Sequence, residues 1–453
     1  MKALDSLRTW LTGAAALSML SLAAHADFSE DQQVCNQATG APDARIAACT
    51  RQIESGQWQG HNLGVSYSNR GTAFRDKGDP DRAMADYSQT LQLDPKYAIA
   101  YLNRGNIYMD KKDFDRAIAE YSQAIDFDPK YVMAFGFRGL AYGNKGDLDH
   151  AMADYSQAIQ LDPKYAFAFA GRGNGYAGKK DYDHAIADLT QAIQLDPKFA
   201  FAYVNRVGAY EAKGDVEHAI ADYSALIALN ASVLFAYNGR AGLYVLKKDF
   251  DRGIADYSKA IELNPKLIAL YINRAIAYRT MGELDHAIAD YTHQIQLDPK
   301  NWAAHFSRGH LALVTGGGAD VLPDLNLAAE LQPANNYVAL WLEIANKRSN
   351  AASRLSDATK QLDMAVWPAP VVRFYLGQLT PEQLLAAANS PNPELRTKQL
   401  CEANFYMGEL QLQQGKKDDA TRLLRSAAAA DCDKSLLEHQ AARAELKSLG
   451  ATP

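Results

Sequence analysis

Beyond Ala24 the sequence holds no apolar run approaching the ~18 residues that a membrane-spanning helix needs. No transmembrane segment is expected in the processed chain. A surplus of positive charge is also missing: 47 lysines and arginines face 53 aspartates and glutamates, for a formal net charge of −6. Without a basic excess there is no electrostatic footprint for nucleic acid. Chemistry-bearing constellations are scarce too, since no Ser/His/Asp arrangement or carboxylate pair rises above the background. His150, His184, His218 and His286 recur at one spacing. That sets them on separate helices about 10 Å apart, too far for one ion. Gly173-Asn174-Gly175-Tyr176-Ala177-Gly178-Lys179-Lys180 approximates a phosphate-cradling loop. Lys180 stands where the magnesium-binding hydroxyl belongs, however, and no strand precedes the segment. The sequence predicts no enzyme, no cofactor and no metal.

Cysteine is sparse, with four in all. The N-terminus explains what they do. Lys2 and Arg8 precede an uncharged stretch from Leu11 to Ala24, and Ala24-His25-Ala26 is an A-x-A cleavage site. The expected result is export by a Sec-type signal (residues 1–26), leaving a periplasmic or secreted chain. The first cysteine, Cys35, lies too far downstream to be lipidated at that cut. Four cysteines in an exported chain imply two disulfides. Antiparallel helices bring the start of one beside the end of the next, which pairs Cys35 with Cys49 and Cys401 with Cys432.

Proline is uncommon but patterned. It recurs every 34 residues at Pro95, Pro129, Pro163, Pro197, Pro265, Pro299 and Pro333, with Ala231 in the same phase. The clearest copy is Ala98–Tyr131, AIAYLNRGNIYMDKKDFDRAIAEYSQAIDFDPKY. Counting from its first residue, position 4 is aromatic (Tyr67, Tyr101, Phe135, Phe169, Tyr203, Tyr237, Tyr271) and position 8 is small (Gly71, Gly105, Gly139, Gly173). Position 20 is small opposite it, and position 24 supplies a ring such as Tyr87 or Tyr121. These positions closely resemble the tetratricopeptide-repeat family. The resemblance implies an all-α, right-handed α-solenoid of helix–turn–helix units, each burying its apolar face only against its neighbours. The expected organisation is an N-terminal cap over residues 27–63, eight repeats over 64–335, and a helical C-terminal module over 336–453. That module would open with helical segments over Asn336–Arg348 and Ala351–Leu362 and contain a ninth repeat-like hairpin at 401–434.

One departure from the family carries information. Position 7 is arginine in every copy and position 23 is acidic in every copy. The two positions face each other across an antiparallel hairpin. The expected pairs are Arg70–Asp86, Arg104–Glu120, Arg138–Asp154, Arg172–Asp188, Arg206–Asp222, Arg240–Asp256, Arg274–Asp290 and Arg308–Asp324, each a structural fork rather than an anion site.

In this family, positions 2, 5, 9, 12 and 13 of the first helix face ligands. They give a candidate partner-binding groove of Val65, Ile99, Leu102, Asn106, Met133, Phe167, Asn174, Phe201, Val204, Phe235, Ile272 and Phe306. No lysine or arginine stands at position 5, so the clamp that some members close on acidic C-termini is not expected. The C-terminal order Tyr337…Trp341-Leu342, Val372–Gly377, Asn404–Gly408, Glu438-His439 resembles NlpI-type repeat lipoproteins. Those are envelope scaffolds that bring a periplasmic protease to cell-wall endopeptidases, although this chain lacks the lipobox and has the longer array. The function expected is a periplasmic adaptor holding protein or peptide partners, with peptidoglycan binding or a structural homodimer as the alternatives.

Overall fold

The computed structural model describes residues 30–37, 39–230, 232–316, 321–433 and 436–452. The expected signal peptide lies outside them. Every regular element among the described residues is a helix, and none is long and apolar enough to cross a membrane. The chain divides into two compact units, Met1–Leu229 and Asn230–Pro453. The division falls beside Ala231, the one place where the recurring proline is missing.

In the first unit a short helical stretch over residues 30–35 precedes α1 (Pro42–Glu54). Five hairpins follow: α2 (Gly60–Asp76) with α3 (Pro80–Leu93), α4 (Ala98–Asp110) with α5 (Phe114–Phe127), and α6 (Val132–Lys145) with α7 (Leu148–Leu161). The series ends with α8 (Ala166–Gly178) on α9 (Tyr182–Leu195) and α10 (Ala200–Lys213) on α11 (Val216–Leu229). In each hairpin the second helix starts on an acidic cap. Asp79, Asp113, Asp147 and Asp181 accept the backbone N–H three residues on, satisfying a donor that the helix leaves open. The recurring Asp-Pro-Lys is a turn with a mechanism. Asp94, Asp128, Asp162 and Asp196 each accept the backbone N–H two residues later, across the proline, at 2.9–3.0 Å. Tyr101 and Tyr203 then donate from Oη to the carbonyls of Pro95 and Pro197, tying each first helix to the turn before it.

Close helix approach explains the small residues. A methyl added at Gly105 would lie 2.5 Å from Tyr121 Cε1, and Tyr87 and Tyr121 are fully buried in the seam. The first unit is stapled at its start by the disulfide Cys35–Cys49.

The second unit continues with α12 (Leu234–Leu246) and α13 (Phe250–Leu263), α14 (Ile268–Met281) and α15 (Leu284–Leu297), then α16 (Trp302–Val314) and α17 (Val321–Leu331). The period then ends. Helix α18 (Asn336–Arg348) forms where expected. A second helix over 351–362 does not: only the short α19 (Leu355–Ala358) forms, because Asn350 turns left-handed and residues 351–354 carry no helix. After α20 (Ala369–Tyr375), Thr380 and Gln383 close a capping box on α21 (Pro381–Ala387). The last hairpin pairs α22 (Pro393–Gln413) with α23 (Lys417–Ala427), and α24 (Leu437–Ser448) packs on both. Helix α22 starts eight residues before Cys401, at an Asn392 cap with Pro393 behind it, so the hairpin is longer than its cysteines mark. Cys401 and Cys432 are bonded. A core of Trp341, Phe405, Tyr406, Ile344 and Val371 joins these helices.

Candidate functional site

Each position-7 arginine forks onto the acid sixteen residues on. Arg138 donates from Nε and an Nη to the two Asp154 oxygens, both at 2.8 Å. The same bidentate contact occurs at Arg70–Asp86, Arg104–Glu120, Arg172–Asp188, Arg206–Asp222, Arg240–Asp256, Arg274–Asp290 and Arg308–Asp324. The acids are largely buried, and the guanidiniums lie beside the position-4 rings, as Arg138 does 5.7 Å from the centre of Phe135. The carboxylate beside it raises the Arg138 guanidinium above its ordinary range, so the charge is fixed.

A second contact has no counterpart in the sequence argument. The remaining guanidinium nitrogen reaches back to a hydroxyl on the preceding hairpin: Arg70 to Thr50, Arg138 to Ser122, Arg172 to Ser156, Arg206 to Thr190, Arg274 to Ser258, Arg308 to Thr292. The signal was present as the serine or threonine two residues after seven of the eight acids, Asn326 standing there after Asp324. These arginines are spent on structure, and none is left as an anion site.

The groove residues separate by burial. In the first unit Ile99, Met133 and Phe201, all at position 2, expose 43%, 44% and 44% of their surface, and Val204 and Asn174 are also exposed. Val65 and Phe167 are half-buried, and Phe167 packs against Phe137 and Tyr165. Asn106 accepts a hydrogen bond from Tyr121 Oη at 2.8 Å, which fixes its amide. Leu102 does not face a ligand surface: it is buried in a cluster with Ala117, Tyr121 and Ala134. In the second unit Phe235 and Ile272 are exposed, whereas Phe306 is buried within the C-terminal core. Position 5 thus divides: Leu102 and Phe306 close into apolar clusters, whereas Val204 and Ile272 stay exposed.

The histidine row is exposed but not idle. His150, His184 and His218 each hold the capping aspartate three residues before them and stack on Tyr142, Tyr176 and Tyr210, with centroids 5.0–5.1 Å apart. In other hairpins Arg82, Arg116 and Arg252 take the same place over Phe74, Tyr108 and Tyr244. The Gly173–Lys180 segment lies on α8 and its end, with Lys180 turned left-handed after the helix. It forms no phosphate cradle.

The C-terminal module buries a polar cluster that sequence reasoning passed over. Tyr337 and Trp367 donate to Glu402 Oε2 at 3.0 and 2.5 Å, while Trp341 and Tyr406 donate to Glu438 Oε1 at 3.3 and 2.8 Å. Burial and the neighbouring Glu438 push the Glu402 carboxyl up to about 7. Burial raises Glu438 as well. One turn further on, Arg348 bridges Glu409 and Glu445, each at 2.7 Å. His310, held neutral by burial with its pKa near 3, packs edge-on against Trp341 at 4.4 Å. The residues at 337, 341 and 348 on α18 and at 402, 406 and 409 on α22 lie at helical spacing, a signal hidden by the loss of the 34-residue period. These groups hold three helices together, and the motifs of the C-terminal resemblance are this core.

Family models described as tetratricopeptide repeat match residues 68–132, 132–165, 166–199, 236–267 and 268–301. Among solved structures the chain is similar to MamA, at 27% identity over 37% of this chain and 92% of that one, with a TM-score of 0.33. It is similar to YrrB, described as having an unusual peptide-binding site, at 18% identity over 41% and 95%, with a TM-score of 0.35. It is also similar to PilF of Pseudomonas aeruginosa, at 17% identity over 45% and 92%, with a TM-score of 0.39.

Proposed function

This chain is a tetratricopeptide-repeat protein, and on that footing we propose that it is a non-catalytic adaptor of the bacterial envelope that holds protein or peptide partners. The observation that carries the reading is the row of Ile99, Met133 and Phe201 in the first unit. Three large apolar side chains stand at the same position of their hairpins and are each over two-fifths exposed. Apolar side chains at one position of α4, α6 and α10, with Val204 exposed on α10 and Asn174 on α8, suit a segment that offers apolar side chains and backbone hydrogen bonds at intervals. The arginines are absorbed by their acids, so the face selects by shape and apolar contact rather than by charge. Two disulfides suit an oxidising compartment, which supports the periplasmic address. The link to cell-wall hydrolases rests on the C-terminal resemblance alone.

The test is a double variant, Met133→Asp with Phe201→Asp. Both side chains are half in water, so helicity should persist while partner capture in periplasmic cross-linking falls by about tenfold, a loss of roughly 1.4 kcal/mol. Capture at the wild-type level would remove the face from the account. Peptidoglycan sedimentation with the same two proteins separates a glycan-binding role.

A further inference from the structure

Helix α18 begins like the first helix of one more repeat, but its partner helix never forms. Counted from Asn336, position 7 is Leu342 instead of arginine, and position 8, elsewhere small to admit the second helix, is Glu343. Asn326 on α17 stands where earlier hairpins carry the serine or threonine that receives the next arginine, as Ser258 receives Arg274 and Thr292 receives Arg308. Between α17, α18 and α19 the structure leaves a cavity of about 260 Å³, lined in part by these three side chains together with Asn346 and Leu355. It occupies the seam in which earlier hairpins lodge a guanidinium.

The polar groups that open into it are incompletely used. Glu343 is 3% exposed. Its Oε2 accepts from Ser353 Oγ at 2.7 Å, whereas the cation paired with Oε1 among the described residues, Lys347 Nζ, stands at 3.8 Å, beyond hydrogen-bond reach. Asn346, one turn along the same face, is 5% exposed, and its amide has no hydrogen-bond partner among the described residues. Both side chains line the cavity, so these acceptors are reached from it rather than sealed away from it. The floor between them is apolar, formed by Leu342, Leu355 and the alanines 329 and 339. The chain's own Arg354, on the exposed rim, reaches Asn326 Oδ1 only at the 3.5 Å limit. That contact shows which chemistry the acceptor admits.

We propose that this cavity is a binding pocket for the arginine side chain of a partner polypeptide. The guanidinium would donate to Glu343 Oε1 and the Asn346 and Asn326 amide oxygens, with its methylene stem on Leu342 and Leu355. A fork of five N–H donors can serve three separate acceptors at once, which a compact ammonium does less well. The pocket is separate from the row on the first unit, and its test does not depend on that reading.

Titration calorimetry of the whole protein with N-acetyl-arginine-amide, N-acetyl-lysine-amide and N-acetyl-citrulline-amide tests the pocket. Arginine-amide should saturate one site, lysine-amide should bind at least about tenfold more weakly, and citrulline-amide, a neutral isostere, should not bind. Free arginine, whose own carboxylate would meet Glu343 and Glu330, should bind more weakly than the blocked amide. Glu343→Gln should weaken the arginine site by about tenfold or more, and Asn346→Ala serves if the first variant loses its fold. No saturable binding, equal binding of citrulline-amide, or binding indifferent to both variants would each overturn the proposal.

Discussion

At the scale of single residues the array depends on a charge pair that each hairpin repeats. Arg138 is four-fifths buried and Asp154 more so, and the two share two hydrogen bonds. Arg138→Met should destabilise its hairpin by about 3 kcal/mol, because the carboxylate is left buried and alone. Native-state hydrogen exchange in α6 and α7 reads that loss, and Asp154→Leu added to the first change should restore part of it. This pairing was legible in the sequence because it recurred at a fixed offset. The hydroxyl that most of these guanidiniums also reach was not, since a serine or threonine on a helix has too many other uses. Glu402 gives a second case. Burial and Glu438 hold its carboxyl near 7, and burial likewise raises Glu409 to about 7. In the unfolded chain a glutamate titrates near ~4.3. The native state therefore keeps protons that the unfolded state has released, and stability falls as pH rises from about 4.3 to about 7, then levels. Glu402→Gln, which can still accept from Tyr337 and Trp367, should remove its share of that slope. Tryptophan fluorescence melts at pH 5 and pH 8 measure it, and an unchanged slope would show that Glu402 is ionised throughout.

At the scale of helices and turns, the link inside each hairpin alternates. Gly146, Gly214 and Gly282 end their helices in the left-handed region, with φ of 89°, 73° and 87°, whereas Lys112, Lys180 and Lys248 do the same job at 56°, 63° and 62°. A side chain there costs about 1 kcal/mol that glycine does not. Lys112→Gly, Lys180→Gly and Lys248→Gly should each stabilise their hairpin by about that amount. Sitting on different hairpins, their gains should add. Urea unfolding of the single and triple variants checks both statements. Helix positions within the array followed from the period, the acidic caps and the Asp-Pro turns. Past Pro333 those cues ran out: Ala351–Leu362 has a helical composition but breaks at the left-handed Asn350, and Asn392-Pro393 started α22 well ahead of Cys401. The ligand-facing positions transferred only in part. At position 5 Leu102 closed against Tyr121 and Phe306 against the C-terminal core, while Val204 and Ile272 stayed open.

At the scale of the whole molecule, each end of the described chain is covalently tied. Reducing Cys401–Cys432 should lower the stability of the last hairpin by about 2–4 kcal/mol, with faster exchange confined to α22, α23 and α24 and the repeats untouched. Exchange that quickened evenly along the chain would mean that the repeats and the C-terminal module unfold as one. The arginine that bridges two hairpins has a consequence for how such a chain can change length. Splicing in or removing a whole unit of 34 residues leaves every guanidinium with a carboxylate ahead of it and a hydroxyl behind. Any other increment strands a cation at the splice. Gene duplication in complete steps is thus the one edit that the interior tolerates at little cost, and near-identity between successive copies is the trace such edits would leave.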